Sequence, residues 1–233
     1  MKNNPQDALV VVNSTEDEKK IQTYIEEFHK GKLKLKPRFV CFDEEKLSSC
    51  EILLRVREYI ESPNFFLLVG NVLADPFLIS MADVHRAKEP VVTLALKDKK
   101  TYHTKSPIIS SGNVRNTEFV ALLEEKEVHG AVAHQRNTRS VLSYHSIDLN
   151  MDNNNIQVQV PKRTLRKFPN LRLYSGYTDV GVYIFSTWVL DLLEEKIDTL
   201  KDIKQDLVPY LVNNQTLTKY SSKSFPAFIP KNN

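Results

Sequence analysis

Glycines are the residues on which phosphate-binding loops depend, and this chain has only six of them. No two glycines are spaced as Gly-x-Gly, so the dinucleotide-binding loop Gly-x-Gly-x-x-Gly is excluded. Gly176 and Gly181 have the outer spacing of a P-loop, but Val182 and Tyr183 follow where that loop needs a lysine and a serine or threonine. We therefore expect no phosphate-binding loop of either kind.

The histidines do not indicate a catalytic or a metal site. A nucleophilic site needs a serine or cysteine in a sharp turn and a histidine that activates it, and no histidine here has that context. The pair formed by His129 and His134 has no ligand-rich neighbour, which argues against metal binding. We expect no catalytic, cofactor-binding or metal-binding residue. The six histidines are His29, His85, His103, His129, His134 and His145.

The segment from Lys30 to Arg38 alternates basic residues with apolar or small ones. Such a segment could contact phosphate groups, or it could be a solvated edge that discourages strand pairing. No aromatic residues are interleaved to stack on bases, which favours the solvated edge. The 32 basic and 29 acidic residues are also well mixed, so no direct binding of nucleic acid is expected.

The composition predicts a soluble globular protein. A chain of 233 residues that is 41% apolar can bury a core without disulfides or metals. Cys41 and Cys50 lack Cys-x-x-Cys spacing, which fits a reducing compartment. The polar amino terminus and apolar runs of only strand length predict neither secretion nor a membrane span, so we expect a cytoplasmic (cytosolic) location.

Strands and helices alternate through the first hundred residues, which predicts a mainly parallel sheet flanked by helices. The expected strands are Ala8–Val12, Arg38–Phe42, Phe65–Val69 and Val91–Leu96. The expected helices are one that is capped near Ser14 and ends at Gly31, one over Ser48–Ile60 and one over Pro76–Arg86.

Beyond Leu96 the pattern is less regular. A short helical stretch is expected near Glu118–Glu125, strands at Gly130–His134 and Ser140–Ile147, and a loop over Asp148–Asn155. Further on we expect a helix at Pro161–Lys167, strands at Leu171–Leu173 and Val180–Phe185, a helix capped by Ser186, and a helix over Asp202–Asn213. Trp188 and Tyr210 could face a partner, although their helical spacing favours the core. One domain over residues 1–220, with a flexible tail over 221–233, is the simplest arrangement.

One central passage resembles the sugar-phosphate nucleotidyltransferases. It runs from Phe65-Phe66-Leu67-Leu68-Val69-Gly70-Asn71 to Asp75, then includes His85 and Pro90–Leu96. The resemblance implies a Rossmann-like nucleotidyltransferase fold in which an aspartate after the glycine helps to hold the catalytic divalent metal. Here Asn71 stands at that position, and an amide brings no negative charge to magnesium.

The same resemblance implies that the sheet is incomplete at its amino terminus. Active members carry a first strand and a Gly-rich, Arg- and Lys-bearing loop for the triphosphate, whereas this sequence begins at what resembles their second strand. Without that loop and the metal carboxylate, nucleotidyl transfer is not expected. The alternatives are a mannose- or glucose-1-phosphate nucleotidyltransferase, and a truncated or wrongly started gene product that does not fold alone.

Three further passages resemble a non-catalytic branch, the gamma-type subunits of the guanine-nucleotide exchange factor for eukaryotic initiation factor 2. They are Lys32–Pro37, which leads into Phe39–Cys41; Leu165–Leu173 followed by Thr178–Phe185; and Trp188–Leu193 with Ile203, Asp206–Val212 and Gln215. The resemblance implies a role in translation initiation, with an epsilon-type subunit, other subunits and initiation factor 2 as partners. The left-handed β-helix expected of such subunits does not follow in this sequence.

Overall fold

The computed structural model describes residues 7–29, 36–42, 44, 46–70, 72, 78–98, 116–123, 139–148 and 158–215. The chain divides into two compact units, Met1–Tyr59 and Ile60–Asn233. Both units combine strands with helices, which confirms the expected α/β class. The single domain over residues 1–220 stays a prediction, and the tail over 221–233 lies outside the described residues.

In the first unit a helix connects two parallel strands. β1 (Asp7–Val12) pairs in parallel with β2 (Lys36–Cys41), and α1 (Thr15–His29) contacts both strands. The helix begins where a cap was predicted, because Ser14 Oγ accepts a hydrogen bond from the N–H of Asp17 at 3.1 Å. The predicted strand, helix and strand are confirmed.

The first unit ends with α2 (Ser49–Arg55), which continues as a 3₁₀ turn over Val56–Tyr59. A capping box fixes its start: Ser48 Oγ accepts from the N–H of Glu51 at 3.3 Å, and Glu51 Oε2 accepts from the N–H of Ser48 at 2.9 Å. The predicted helix is therefore present, with a tighter last turn.

The second unit begins with a three-stranded sheet in the order β3, β8, β4. β8 (Tyr177–Ser186) lies between β3 (Asn64–Leu68) and β4 (Val92–Asp98) and is antiparallel to both. The helix α3 (Leu78–Lys88) joins β3 to β4. Because both strands are antiparallel to β8, β3 and β4 run in the same direction, as a crossover connection requires. The antiparallel strand β8 lies between them.

A second three-stranded sheet has the order β6, β5, β7. Its strands β5 (Asn116–Leu123), β6 (Val141–Asp148) and β7 (Leu171–Tyr174) are paired antiparallel. The remaining elements are α4 (Lys162–Lys167), α5 (Val189–Lys196), a π-helical turn at Ile203–Leu207 and α6 (Val208–Asn214). Among the described residues, no helix is both long enough and apolar enough to cross a lipid bilayer.

Three of the sequence-based expectations need correction. Among the described residues, parallel pairing is confined to β1 and β2, because β8 separates β3 from β4 and the second sheet is antiparallel throughout. The helix expected near Glu118–Glu125 is wrong over its described part, which lies in β5. Ser186 does not cap a helix; it ends β8, and its hydroxyl donates to Asn64 Oδ1. The strand at Gly130–His134 lies outside the described residues.

The core of the second unit lies on the two faces of β8. On one face, Val182 and Ile184 pack with Met81 of α3. Tyr183 and Phe185 alternate with them and are at most 1% exposed, and the helices after β8 contribute further buried apolar side chains. These are Val189, Leu190, Leu193, Leu207 and Val208. The expected strand at Val180–Phe185 is thus confirmed as a central, buried strand.

Candidate functional site at the carboxyl end of β3

The residues after β3 are where the nucleotidyltransferase resemblance places a metal ligand. β3 ends at Leu68, and Val69 follows with its N–H donating to Gly181 O of β8 at 3.0 Å. Asn71, the position of the expected metal carboxylate, lies outside the described residues. The described part of this site is therefore the contact between the end of β3 and β8.

Gly181 makes that contact possible. Its φ of +77° lies in the left-handed region, which side chains other than glycine rarely adopt. A Cβ at this position would stand 2.9 Å from Val69 Cγ2 and 3.4 Å from Val72 Cγ2. The glycine thus allows close packing of two valines against a strand.

A buried carboxylate also contacts the backbone of Gly181. Asp179 is 6% exposed, and its Oδ1 accepts from the N–H of Gly181 at 2.8 Å. Its Oδ2 accepts from the hydroxyl of Tyr183 at 2.6 Å and from that of Tyr144, on β6, at 3.1 Å. Asp179 therefore links the second sheet to the strand that supports the end of β3.

Burial shifts the pKa values of the three side chains in this cluster, Asp179, Tyr144 and Tyr183. It raises the pKa of Asp179, while the hydrogen bonds from Tyr183 and Gly181 and the charge of Lys204 oppose that rise. Burial, together with the charge of Asp179, raises the pKa of both Tyr144 and Tyr183 well above the ordinary value of tyrosine. Both hydroxyls stay protonated and donate to the carboxylate, so the cluster is suited to positioning the chain.

A second buried carboxylate, Glu118 of β5, is 1% exposed. Its Oε1 lies 2.6 Å from Nζ of Lys204, in the π-helical turn. A buried carboxylate is costly without an opposite charge, and the ammonium group supplies it. The charge of the same lysine opposes the rise in the pKa of Asp179, so one cation acts on both buried acids.

His85, which the resemblance includes, lies inside the fold. It is 3% exposed, with Nδ1 at 2.8 Å from Thr93 Oγ1 and Nε2 at 3.1 Å from Asn64 Oδ1. These partners are on β4 and β3, so the ring ties α3 to both strands. Burial lowers the pKa of His85, which favours the neutral ring.

Of the other histidines, two belong to the described residues and three lie outside them. His145 of β6 is half-buried, with Nε2 at 2.9 Å from Ser143 Oγ, and burial lowers its pKa. His29 is the last residue of α1. His103, His129 and His134 lie outside the described part of the chain.

The remaining candidate residues are dispersed. Gly176 lies between β7 and β8 with nothing within 4 Å of an added Cβ, which is unlike the cradle of a phosphate loop. Of the segment Lys30–Arg38, residues 36–38 are described, and they form part of β2. Trp188 and Tyr210 are both half-buried, and Lys196 Nζ lies 5.6 Å from the centre of the Tyr210 ring.

Sequence reasoning missed the two buried carboxylates. Asp179 stands in an apolar strand, and Tyr183 lies four residues further along the same strand, a spacing that places both side chains on one face. The sequence therefore contained an indication that Asp179 and Tyr183 lie on the same face of the strand. Tyr144, Glu118 and Lys204 are brought in from other elements, and the sequence contains no comparable indication of these contacts.

Comparison with known proteins gives sequence relatives but no matching protein-family model. The chain is 33% identical over 224 residues to "Translation initiation factor eIF2B subunit gamma" of Dictyostelium discoideum, covering 94% of this chain and 48% of the relative. It is 39% identical over 51 residues to the protein of the same name from Schizosaccharomyces pombe, covering 22% of this chain and 11% of the relative. The chain thus spans about half the length of the first relative.

Among solved structures, the chain is similar to the inositol-1-phosphate CTP transferase from T. maritima. The TM-score is 0.50 at 16% identity, with 92% of this chain and 64% of the other covered. This likeness concerns the fold alone and agrees with the nucleotidyltransferase-like architecture expected from the sequence. The chain is therefore similar, over about half of that relative's length, to a gamma subunit of translation initiation factor eIF2B, and it has a nucleotidyltransferase-like fold.

Proposed function

We propose that this chain acts as a non-catalytic subunit of the guanine-nucleotide exchange factor for eukaryotic translation initiation factor 2. It supports GDP/GTP exchange through assembly and regulation of the complex, in the cytosol. The observation that carries the proposal is the 33% identity to an eIF2B gamma subunit over 94% of this chain. Its partners are an epsilon-type subunit, the other subunits of the factor, and initiation factor 2.

The absence of catalysis is part of the proposal. Asn71 replaces the carboxylate with which the resembled enzymes hold their metal, and magnesium prefers charged oxygen ligands. Val69 and Val72, which lie on either side of Asn71 in the sequence, are apolar and come close to Gly181. Both features favour a site that has kept the fold of the enzymes without their phosphate chemistry.

Co-purification tests the assembly. The tagged chain is expressed in its native cell, isolated under mild salt, and its partners are identified by mass spectrometry. We expect the epsilon-type subunit and initiation factor 2 in amounts comparable with the chain itself. If a soluble, folded chain recovers neither protein, the proposal is wrong.

An activity assay tests the alternative, a sugar-1-phosphate nucleotidyltransferase, which the likeness in fold keeps open. The purified chain is incubated with magnesium, each nucleoside triphosphate, and glucose- or mannose-1-phosphate. We expect no sugar nucleotide above the level without protein. Formation of a sugar nucleotide that is lost when magnesium is chelated would establish an enzyme and overturn the non-catalytic proposal.

A further inference from the structure

A series of hydrogen bonds between α6 and β6 determines which nitrogen of His145 carries a hydrogen. It begins at Asn213 of α6, whose Oδ1 accepts from the N–H of Tyr144 at 3.1 Å and whose Nδ2 donates to Tyr144 O at 2.9 Å. A main-chain N–H can only donate and a main-chain carbonyl can only accept, so the side-chain amide has one possible orientation. Asn213 Oδ1 is therefore an acceptor for all its neighbours.

Ser143 of β6 connects this amide to the histidine. Its Oγ lies 2.9 Å from Asn213 Oδ1 and 2.9 Å from His145 Nε2. The serine hydroxyl has a single hydrogen, which must point to Oδ1 because that oxygen has no hydrogen to donate. Ser143 Oγ consequently accepts from His145, and the neutral ring carries its hydrogen on Nε2.

The backbone of Gln159 is the second partner of the ring. Burial lowers the pKa of His145, and the hydrogen bond with the backbone of Gln159 opposes that shift. A backbone group that favours the charged ring is a carbonyl oxygen, which accepts a hydrogen. The neutral ring already uses its hydrogen on Ser143. Only the imidazolium ion, with hydrogens on both nitrogens, can donate to both acceptors.

The face of β6 that carries His145 is poor in charge among the described residues. Phe119 of β5 stands opposite His145. The helix α6, which packs on β6, contains no acidic or basic residue, and its titratable side chain is the half-buried Tyr210. Glu118 stands opposite Ser146, the next residue of β6, so its side chain lies on the other face of the sheet.

The π-helical turn also packs on β6 and has charged residues of its own. Lys204 pairs with Glu118, on the other face of the sheet. Asp202 and Asp206 accept hydrogen bonds from main-chain N–H groups at the start of the same turn. Among the described residues, no neighbouring charge contributes to the shift in the pKa of His145, which responds to burial and to Gln159.

We propose that His145 is a proton-operated latch between β6 and residues 158–160, the segment that leads into α4. The neutral ring binds Ser143, and a proton taken up from water adds the second N–H, which donates to the carbonyl of Gln159. Because burial holds the pKa below 6.5, the ordinary value for histidine, the latch closes in mildly acidic solution and is open at neutral pH. This device goes beyond membership of an exchange factor and does not depend on it.

Nitrogen-15 NMR of the full chain with labelled histidine tests the position of the hydrogen. At about pH 8 we expect the neutral His145 ring to carry it on Nε2 in at least about a tenfold excess over Nδ1. Ser143→Ala removes the acceptor and should lower that excess at least about twofold.

Carbon-13 labelling of the Gln159 carbonyl tests the second hydrogen bond in the same chain. Its chemical shift should change with pH along the titration curve of His145. The protection factors of the amides of residues 158–160, which correct for the intrinsic effect of pH on exchange, should rise about tenfold from about pH 8 to about pH 5. His145→Gln should abolish this rise, whereas His85→Gln, the same change at another buried ring, should retain it.

Four results would each overturn the proposal. They are a neutral His145 ring with its hydrogen on Nδ1, a Gln159 carbonyl that does not follow the titration of His145, a rise in protection that persists in His145→Gln, and a loss of that rise in His85→Gln as well. None of these measurements involves the co-purification, so the two proposals can fail separately.

Discussion

At the scale of single residues, both the backbone conformation and the packing at position 181 require a glycine. Its φ is +77°, and an added Cβ would stand 2.9 Å from Val69 Cγ2. We predict that Gly181→Ala lowers the free energy of unfolding by about 1–3 kcal/mol, because alanine disfavours this conformation and its methyl group must displace Val69. Urea unfolding followed by circular dichroism measures the change.

Gly176 is the matched control. It is also a glycine and directly precedes β8, but nothing lies within 4 Å of a Cβ added there. Gly176→Ala should change the free energy of unfolding by less than about 0.5 kcal/mol. Similar losses in the two variants would show that glycine flexibility, not the packing at Gly181, accounts for the effect.

His85 gives a prediction about pH. Burial lowers its pKa, so the unfolded chain binds the proton more readily, and stability falls as the pH drops below 6.5, the ordinary value for histidine. One such group contributes at most about 1.4 kcal/mol per pH unit. We expect His85→Gln to be less stable at pH 7.5 but to lose less stability on acidification. Urea unfolding at several pH values provides the two slopes.

His145 is the comparison for that slope. Burial also lowers its pKa, but a hydrogen bond with the backbone of Gln159 opposes the shift. His145→Gln should therefore flatten the pH dependence less than His85→Gln does. An unchanged slope in the His85 variant would mean that its ring does not titrate differently in the folded and unfolded chain.

The sequence could predict site residues only where the signal is local. Gly181 was recognised as unsuitable for a P-loop because its neighbours are wrong, and the structure adds the reason for a glycine there, a positive φ beside Val69. For Asp179, the contact with Tyr183 on the same strand had a local signal, but the contact with Tyr144, which is 35 positions away in the chain, had none. Contacts of that kind depend on tertiary packing and leave no spacing in the sequence.

At the scale of elements, Asn213 connects α6 to β6 through three hydrogen bonds. Its Oδ1 accepts from Ser143 Oγ at 2.9 Å and from the N–H of Tyr144 at 3.1 Å, and its Nδ2 donates to Tyr144 O at 2.9 Å. We predict that Asn213→Ala lowers the free energy of unfolding by about 2–4 kcal/mol, because polar backbone groups of a buried strand lose their partners. Urea unfolding measures the loss.

The adjacent Asn214 is the control within the same helix. Its Nδ2 donates to Tyr210 O, a bond inside α6 itself. Asn214→Ala should cost less than about 1 kcal/mol. If the two variants were equally destabilised, the asparagines would act through the helix and not through the contact with β6.

Strands and helices were predictable where one pattern dominates. The start of the chain alternates clearly, and β1, α1 and β2 form as expected. The residues around Glu118 to Leu123 have apolar positions that fit both a helix and a strand. Pairing with β6 and β7 decides for a strand, and Lys204 compensates for burying Glu118. The antiparallel position of β8 between β3 and β4 was also beyond sequence reasoning, because pairing partners are chosen in three dimensions.

At the scale of the whole molecule, the two units differ in how completely their strands are covered. β8 is hydrogen-bonded to strands on both sides, and Val182, Tyr183, Ile184 and Phe185 are almost fully buried. Among the described residues, β1 and β2 pair only with each other, and Leu9, Val10 and Val11 are half-buried. A two-stranded parallel sheet is the less protected arrangement, since parallel strands are usually covered on both faces.

Native-state hydrogen exchange measures this difference in protection between β8 and the strands β1 and β2. Amides of β8 should exchange only through global unfolding, whereas those of β1 and β2 should exchange through local opening, at a free energy at least about 2 kcal/mol lower. We expect this because β8 is hydrogen-bonded to a strand on each side, whereas among the described residues β1 is hydrogen-bonded only to β2. Mass spectrometry of peptides from the two units, over increasing sub-denaturing urea, gives both values in one sample. Equal opening energies would instead mean that the units unfold together, as expected of the single domain over residues 1–220.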